Sequence, residues 1–170
     1  SVFQSAEAVT RVKAVEGFYY IDTSFENASP LNWSVDPNHT IDVYLLYDYE
    51  RQSPNRAAGH WHFKLEAAPG SQWTIVLHNF DNVWNGRLGC PVSEQTTCWV
   101  SPDGEHWRVL PTDFFEGNRL RVNVTVETGS LYIARLEPYT LTDLEKLKQR
   151  LTGRDDVEIT EIGKTVQGRE

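Results

Sequence analysis

The sequence predicts a mainly β protein: an antiparallel β-sandwich followed by one C-terminal helix and a short strand. Three observations carry this. Apolar and polar residues alternate through most of the chain up to Leu136. Turn-forming pairs, Pro69-Gly70, Asp103-Gly104, Gly117-Asn118 and Thr128-Gly129, fall between the alternating runs. Beyond Pro138 the apolar spacing changes from period two to that of a helix. With 170 residues, 39% hydrophobic and 24% charged, the chain is globular and has room for one domain and part of another.

In chain order, Gly17 to Ile21 reads as a short first strand. Ile41 to Tyr47 follows, with Ile41, Val43, Leu45 and Tyr47 on one face. Gly59 to Glu66 sets Trp61, Phe63 and Leu65 against His60, His62, Lys64 and Glu66. Gln72 to His78 is nearly all apolar and reads as a strand covered on both sides. Cys98 to Ser101 and Trp107 to Leu110 are short strands around a Ser101-Pro-Asp103-Gly104-Glu-His-Trp107 turn. That turn resembles the Asp-box hairpin of propeller proteins, but it occurs once and reads as an isolated hairpin. Arg119 to Val126 alternates most cleanly, with Leu120, Val122, Val124 and Val126 on one side. Leu131 to Leu136 is the last strand of this region. The stretches 23–40 and 79–97 read as long loops, a length associated with function or interfaces.

After Pro138, Leu141, Leu144, Leu147 and Leu151 recur at helical spacing. Thr142 with Glu145 reads as a capping box, Lys148 and Arg150 suit the C-terminal dipole, and Gly153 is a stop. Val157 and Ile159 read as the start of another strand. The expected organisation is a sandwich over 1–138, then a linker, helix and first strand of a different domain over 139–170.

The net charge of −8 argues against a nucleic-acid partner, which needs a basic face. No apolar run is long enough to span a membrane. The chain starts at Ser1 without Met, which fits either processing or a cut. Neither a G-x-S-x-G elbow nor a P-loop is present.

His60, His62 and Glu66 form the sharpest metal candidate, because alternation puts all three on one strand face. Their H-x-H-x3-E spacing resembles the first metal motif of cupins. The second motif is absent downstream, and three convergent ligands are the minimum for a site. A strand whose polar face carries His, His, Lys and Glu is the simpler reading; His78 would complete a set only from a neighbouring strand. Cys90 and Cys98 are spaced for a loop-closing disulfide in an exported protein, which favours a periplasmic or secreted location. Trp84, within Asn82-Val-Trp-Asn-Gly-Arg87, is a candidate sugar-stacking platform; packing is the simpler reading for all six Trp, least strongly for Trp33, Trp84 and Trp99. That platform leaves a stand-alone carbohydrate-binding sandwich as an alternative function. Sequons at Asn27, Asn32, Asn38 and Asn123 carry glycans only in a eukaryotic secretory setting.

Leu131-Tyr-Ile-Ala-Arg-Leu-Glu-Pro138-Tyr139-Thr140, then Leu141-Thr-Asp143-Leu144, resembles the domain junction of zinc carboxypeptidases of the cytosolic-carboxypeptidase-like branch. Ile162-Gly163-Lys-Thr165-Val-Gln-Gly168-Arg169 resembles the opening strand and turn of their catalytic domain. His60-Trp61-His62-Phe63 and the Ser101 to Trp107 turn resemble features of the domain that precedes it. The resemblance covers roughly residues 59 to 170. It implies a non-catalytic N-terminal sandwich that packs on its own catalytic domain and shapes the cleft for a peptide or protein substrate. It also implies zinc in the parent enzyme and none in this chain, which lacks the family's His-x-x-Glu ligands and should be inactive alone. Phe25, Glu26, Asn27, Asn55, Arg56 and Trp84 are the residues expected at that interface or cleft.

Overall fold

The computed structural model describes residues 14–46, 59–80, 82–90, 92–166 and 168, with the side chain of Trp84 undescribed. The chain divides into two compact units, Ser1–Glu137 and Pro138–Glu170.

The first unit holds β1 (Phe18–Asp22), β2 (Leu31–Val35), β3 (Thr40–Leu45), β4 (His62–Ala67), β5 (Ser71–His78) and β6 (Asn82–Trp84). It continues with β7 (Arg87–Gly89), β8 (Thr97–Ser101), β9 (Arg108–Pro111), β10 (Asp113–Phe115), β11 (Arg119–Val126) and β12 (Ser130–Ala134). Two five-stranded sheets result, one in the order β1-β4-β12-β8-β9 (sheet A), the other β10-β11-β5-β3-β2 (sheet B). Their inner faces share one core, because alternate residues of every long strand point inward. Sheet A contributes Phe63, Leu65, Leu131, Ile133 and Val100; sheet B contributes Ile41, Val43, Ile75, Leu77, Leu120 and Val122. Trp61 and Phe80, rings 5.5 Å apart, are fully buried beside the strands.

The sandwich is as the alternation predicts, with three refinements. β3 and β5 pair in parallel, Ile41 opposite Ile75 and Val43 opposite Leu77, while the other pairs are antiparallel. The chain crosses to sheet A for β4 between them, and such a crossover is what a parallel pair requires. The stretch 23–40 contains β2, an edge strand that pairs Leu31 with Leu45 and Val35 with Ile41. The stretch 79–97 contains the ribbon β6–β7, whose turn residues Asn85 and Gly86 have φ of 49° and 76°. Two successive left-handed residues make the tight turn that matches strand twist, which is why Asn-Gly serves there.

In the second unit, α1 spans Leu141–Leu151. Its cap sits two residues before the expected one. Thr140 is the N-cap and accepts from the Asp143 amide, and the Asp143 carboxylate accepts from the Thr140 amide at 2.8 Å. Thr142 is inside the helix and cannot cap it; Asp, one carbon shorter than Glu, closes the box from the third position. The strand expected at Val157 and Ile159 does not form. Ile159, Ile162 and Val166 are exposed, and a lone strand without a partner leaves its backbone donors unpaired.

Candidate functional site

Two surfaces of the sandwich carry the chemistry-bearing side chains. On the outer face of sheet A, β4 presents His62, Lys64 and Glu66, and β12 presents Ser130 and Tyr132 opposite them. Lys64 lies between Asp22 at 3.1 Å and Glu66 at 3.0 Å, and its ammonium stands 5.6 Å from the Tyr132 ring. Glu66 also accepts from Ser130 Oγ at 2.7 Å. The hydrogen bond to Glu66, then that to Asp22, holds the Lys64 ammonium charged well above its ordinary range, against the cost of burial. Asp22 is lowered to about 2, chiefly by hydrogen bonds from Ser24, with Lys64 adding to them.

His62 is different: only 4% of it is exposed. Phe25 meets its ring edge-on at 4.9 Å, and Trp107 and Tyr132 stand 5.7 and 6.3 Å away. Its Nδ1 faces the Asn27 carbonyl at 3.2 Å, so that nitrogen carries the proton and donates. Nε2 is then a bare acceptor, buried without a partner. Burial pushes the His62 pKa down to about 4, a shift that the Asn27 carbonyl partly opposes. His62 is thus a neutral aromatic clamp that ties the 23–30 loop to the sheet, and Ser29 donates its amide to the His62 carbonyl at 2.8 Å.

This geometry answers the metal reading. His60 is exposed, His62 has one nitrogen on a carbonyl and the other inside a ring cage, and Glu66 is held by Lys64 and Ser130. Among the described residues, no group of three or more His, Cys, Asp or Glu is placed to hold a metal ion. His78 lies on sheet B, opposite Tyr44, and does not join them. The described residues therefore do not fit a zinc site.

Beside His62, the β8–β9 turn is a compact hydrogen-bonded unit. Ser101 Oγ accepts from the Gly104 amide at 2.8 Å, and Asp103 Oδ1 accepts from the amides of Glu105 and His106, both at 2.8 Å. The imidazole of His106 binds the other Asp103 oxygen at 2.7 Å. These bonds, that from the His106 amide first, hold the Asp103 carboxyl far below its usual range.

Sheet B turns a polar outer face to solvent. His78 Nε2 is 2.7 Å from Asp42 Oδ1, and the His78 ring stacks on Tyr44 at 4.5 Å and 20°. Thr74 Oγ1 donates to Asn123 Oδ1 at 2.9 Å across β5 and β11. At the start of β3, His39 stacks on Trp73 at 4.3 Å and 11°. Sequence reasoning passed over His39 and Asn123 as bearers of a site, although both lie in sequons or beside one.

Of the six residues expected at an interface, Phe25, Glu26 and Asn27 lie together in the 23–30 loop. Phe25 is turned inward against His62 and Tyr132 (5.3 Å), and Asn27 adopts φ of 65° while its carbonyl holds His62. Glu26 is exposed in the same loop. Asn55 and Arg56 lie outside the described residues, and Trp84 ends β6. The disulfide expected between Cys90 and Cys98 is not formed; both are free thiols. Cys98 points into the core from β8, where its Sγ contacts the Ala134 carbonyl at 3.3 Å and burial pushes its pKa up to about 12.

Together these features define a two-sheet β-sandwich domain with a capped helix behind it in sequence. The family model for the cytosolic carboxypeptidase N-terminal domain matches residues 21–136, and the chain belongs to that family. Solved structures agree at the level of fold. A metallo-carboxypeptidase from Burkholderia cenocepacia superimposes with a TM-score of 0.72 at 21% identity, over 88% of this chain and 37% of its own. A metallo-carboxypeptidase from Pseudomonas aeruginosa, in complex with (2-guanidinoethylmercapto)succinic acid, gives 0.71 at 24% identity, over 89% and 38%. The present chain therefore spans little more than a third of those chains. Among curated proteins, myelin protein P0 of Xenopus tropicalis is 29% identical over 65 residues, 36% of this chain and 27% of that protein.

Proposed function

We propose that this chain is the N-terminal sandwich of a zinc metallocarboxypeptidase, that it packs on the enzyme's catalytic domain, and that it helps shape the substrate cleft. One observation carries the reading: the family match fills the sandwich, while the similar carboxypeptidase chains are far longer than the part it covers. The capped helix supports it. Leu144, Leu147 and Leu151 form an apolar stripe in which no residue is buried, as expected of a helix face that packs on another domain. On this reading residues 139–170 open the catalytic domain. The zinc, its ligands and the peptide chemistry belong to that domain, and the sandwich contributes surface.

Phe25, Glu26, Asn27, Asn55, Arg56 and Trp84 are the proposed interface and cleft residues. The 23–30 loop suits such a role because His62 and Phe25 fix it against sheet A, so it can present a defined surface at little ordering cost.

The test compares the 170-residue chain with the same chain extended through its downstream reading frame. The extended protein should hold one zinc by elemental analysis and release C-terminal residues from a peptide, and the short chain should do neither. An extended protein that binds no zinc and cleaves no peptide would refute the reading. In the active enzyme, Glu26→Ala and Trp84→Ala should alter KM for peptide while the sandwich stays folded; unchanged kinetics would remove the cleft-shaping part.

A further inference from the structure

We propose that a groove at one end of the sandwich binds a neutral saccharide, an activity separate from the packing role above. The groove opens where β3 and β5 begin and β11 ends. It encloses about 420 Å³, and Asn38, His39, Gln72, Trp73, Asn123 and Thr125 line it.

The first observation is a strained residue. The β2–β3 turn closes with Asp36 Oδ1 accepting from the amides of Asn38 and Thr40, at 2.8 and 3.0 Å. His39 takes the left-handed position, with φ of 59°. Gly or Asn would occupy it at lower cost. A histidine there lays its imidazole flat on Trp73, at 4.3 Å and 11°, with Nδ1 3.1 Å from the Gln72 carbonyl. Behind Trp73 the rings of Phe18 (5.8 Å) and Trp33, 5.0 Å from Phe18, back the stack. Strain held by a rigid support is a mark of a functional position.

The second observation is spare hydrogen-bonding capacity. His39 donates from Nδ1, which leaves Nε2 an acceptor. Asn123 receives the Thr74 hydroxyl on its oxygen, which leaves both amide protons to donate. Register sets Gln72 opposite Thr125 and Thr74 opposite Asn123, so an amide, a hydroxyl and a second amide follow one another along the groove wall. Asn38 adds a third amide at the rim.

The third is charge. The groove lining contains no Asp, Glu, Lys or Arg, although these make up 24% of the chain. An anion would meet no cation and a cation no carboxylate, while a lipid would find too little apolar wall. A saccharide supplies what the groove can match: hydroxyls that both donate and accept, and a C–H face to lie on the half-buried His39 ring, since Trp73 beneath it is only 2% exposed. The volume falls at the small end of ligand pockets and has room for one or two pyranose rings.

The experiment is a titration of the 15N-labelled 170-residue chain with methyl β-glucoside, methyl β-galactoside, N-acetylglucosamine, cellobiose and lactose, followed by amide shifts. Glycerol is the polyol control and a neutral Ala-Ser-Ala peptide the peptide control. At least one saccharide should shift the amides of 38–40, 72–74 and 123–125 saturably, with a Kd of roughly 0.1–10 mM. Asn123→Ala and Gln72→Ala should each raise that Kd about tenfold. His39→Asn, which keeps the left-handed turn, should also weaken binding while leaving the spectrum folded. Shifts no larger than those from glycerol mean an adventitious additive only and overturn the proposal. So do shifts unchanged in Asn123→Ala, or saturation by the peptide alone.

Discussion

The two outer faces of the sandwich are built on opposite plans. Sheet A closes over its polar strand face. Phe25, Trp107 and Tyr132 surround a neutral His62, and Lys64, Asp22, Glu66 and Ser130 satisfy one another beside it. Sheet B leaves its face more open, with Asp42–His78 and Thr74–Asn123 as separate, partly exposed contacts, while His39 covers the buried Trp73 at its end. The difference shows what a histidine on a strand is worth. Where rings exclude water it becomes a packed apolar group at the cost of its charge. Where water reaches it, it keeps its polar chemistry for a partner.

Removal of a ring should separate the faces most. Tyr132 touches Phe25, His62 and Trp107, whereas among the described residues Tyr44 stacks on His78 alone. Tyr132→Ala should cost about 3 kcal/mol in urea unfolding and Tyr44→Ala about 1 kcal/mol. Equal costs would erase the distinction.

Acid should act next. Because the folded-state pKa of His62 is about 4 against an ordinary 6.5, the unfolded chain takes up that proton first as pH falls. His62 therefore removes stability between pH 6.5 and 4, by about 3 kcal/mol, and no more below pH 4. His106, raised by Asp103, has the opposite sign: its contribution is full below pH 6.5 and is lost as pH rises through its folded value. His62→Phe isolates the first effect, since the stability of the parent chain relative to the variant should fall as pH drops across that window. A constant difference would show that His62 does not titrate as a buried group. Below it, Asp22, lowered to about 2, loses its contribution as pH falls from 3.8 toward 2.

Ser101→Ala should cost about 1–2 kcal/mol, because the buried hydroxyl holds the amide of Gly104 in the turn packed beside sheet A. Asp42→Asn on sheet B is the smallest effect, within about 0.5 kcal/mol, since its pair with His78 is partly in water. A larger loss there would mean that sheet B is held by its surface contacts after all.

Much of this could be read from residue order. The alternation at Arg119 to Val126 fixed β11 end to end, because one buried face leaves a single register that hides all four apolar residues. The Leu spacing after Pro138 located α1, and the motif order pointed to the carboxypeptidase family. Three-residue strands were not legible, since β10 is too short to show a period. The helix cap was misplaced by two residues because Thr140 and Thr142 both have a carboxylate three positions on. Cys90 and Cys98 suggested a bridge by spacing, but only β8 shows that Cys98 points into the core.

By itself, then, the sequence determined the two periods, the core residues and the family, because burial of apolar side chains depends on local spacing. Only the tertiary structure decided that His62 is caged, that His60 and Glu66 do not converge with it on a metal, and that Asn38, His39, Gln72 and Asn123 share one groove. Those facts depend on partners far apart in the chain, such as Phe25 and Tyr132 around His62 or Gln72 and Asn123 along one groove, and spacing along the chain carries no record of which strands become neighbours.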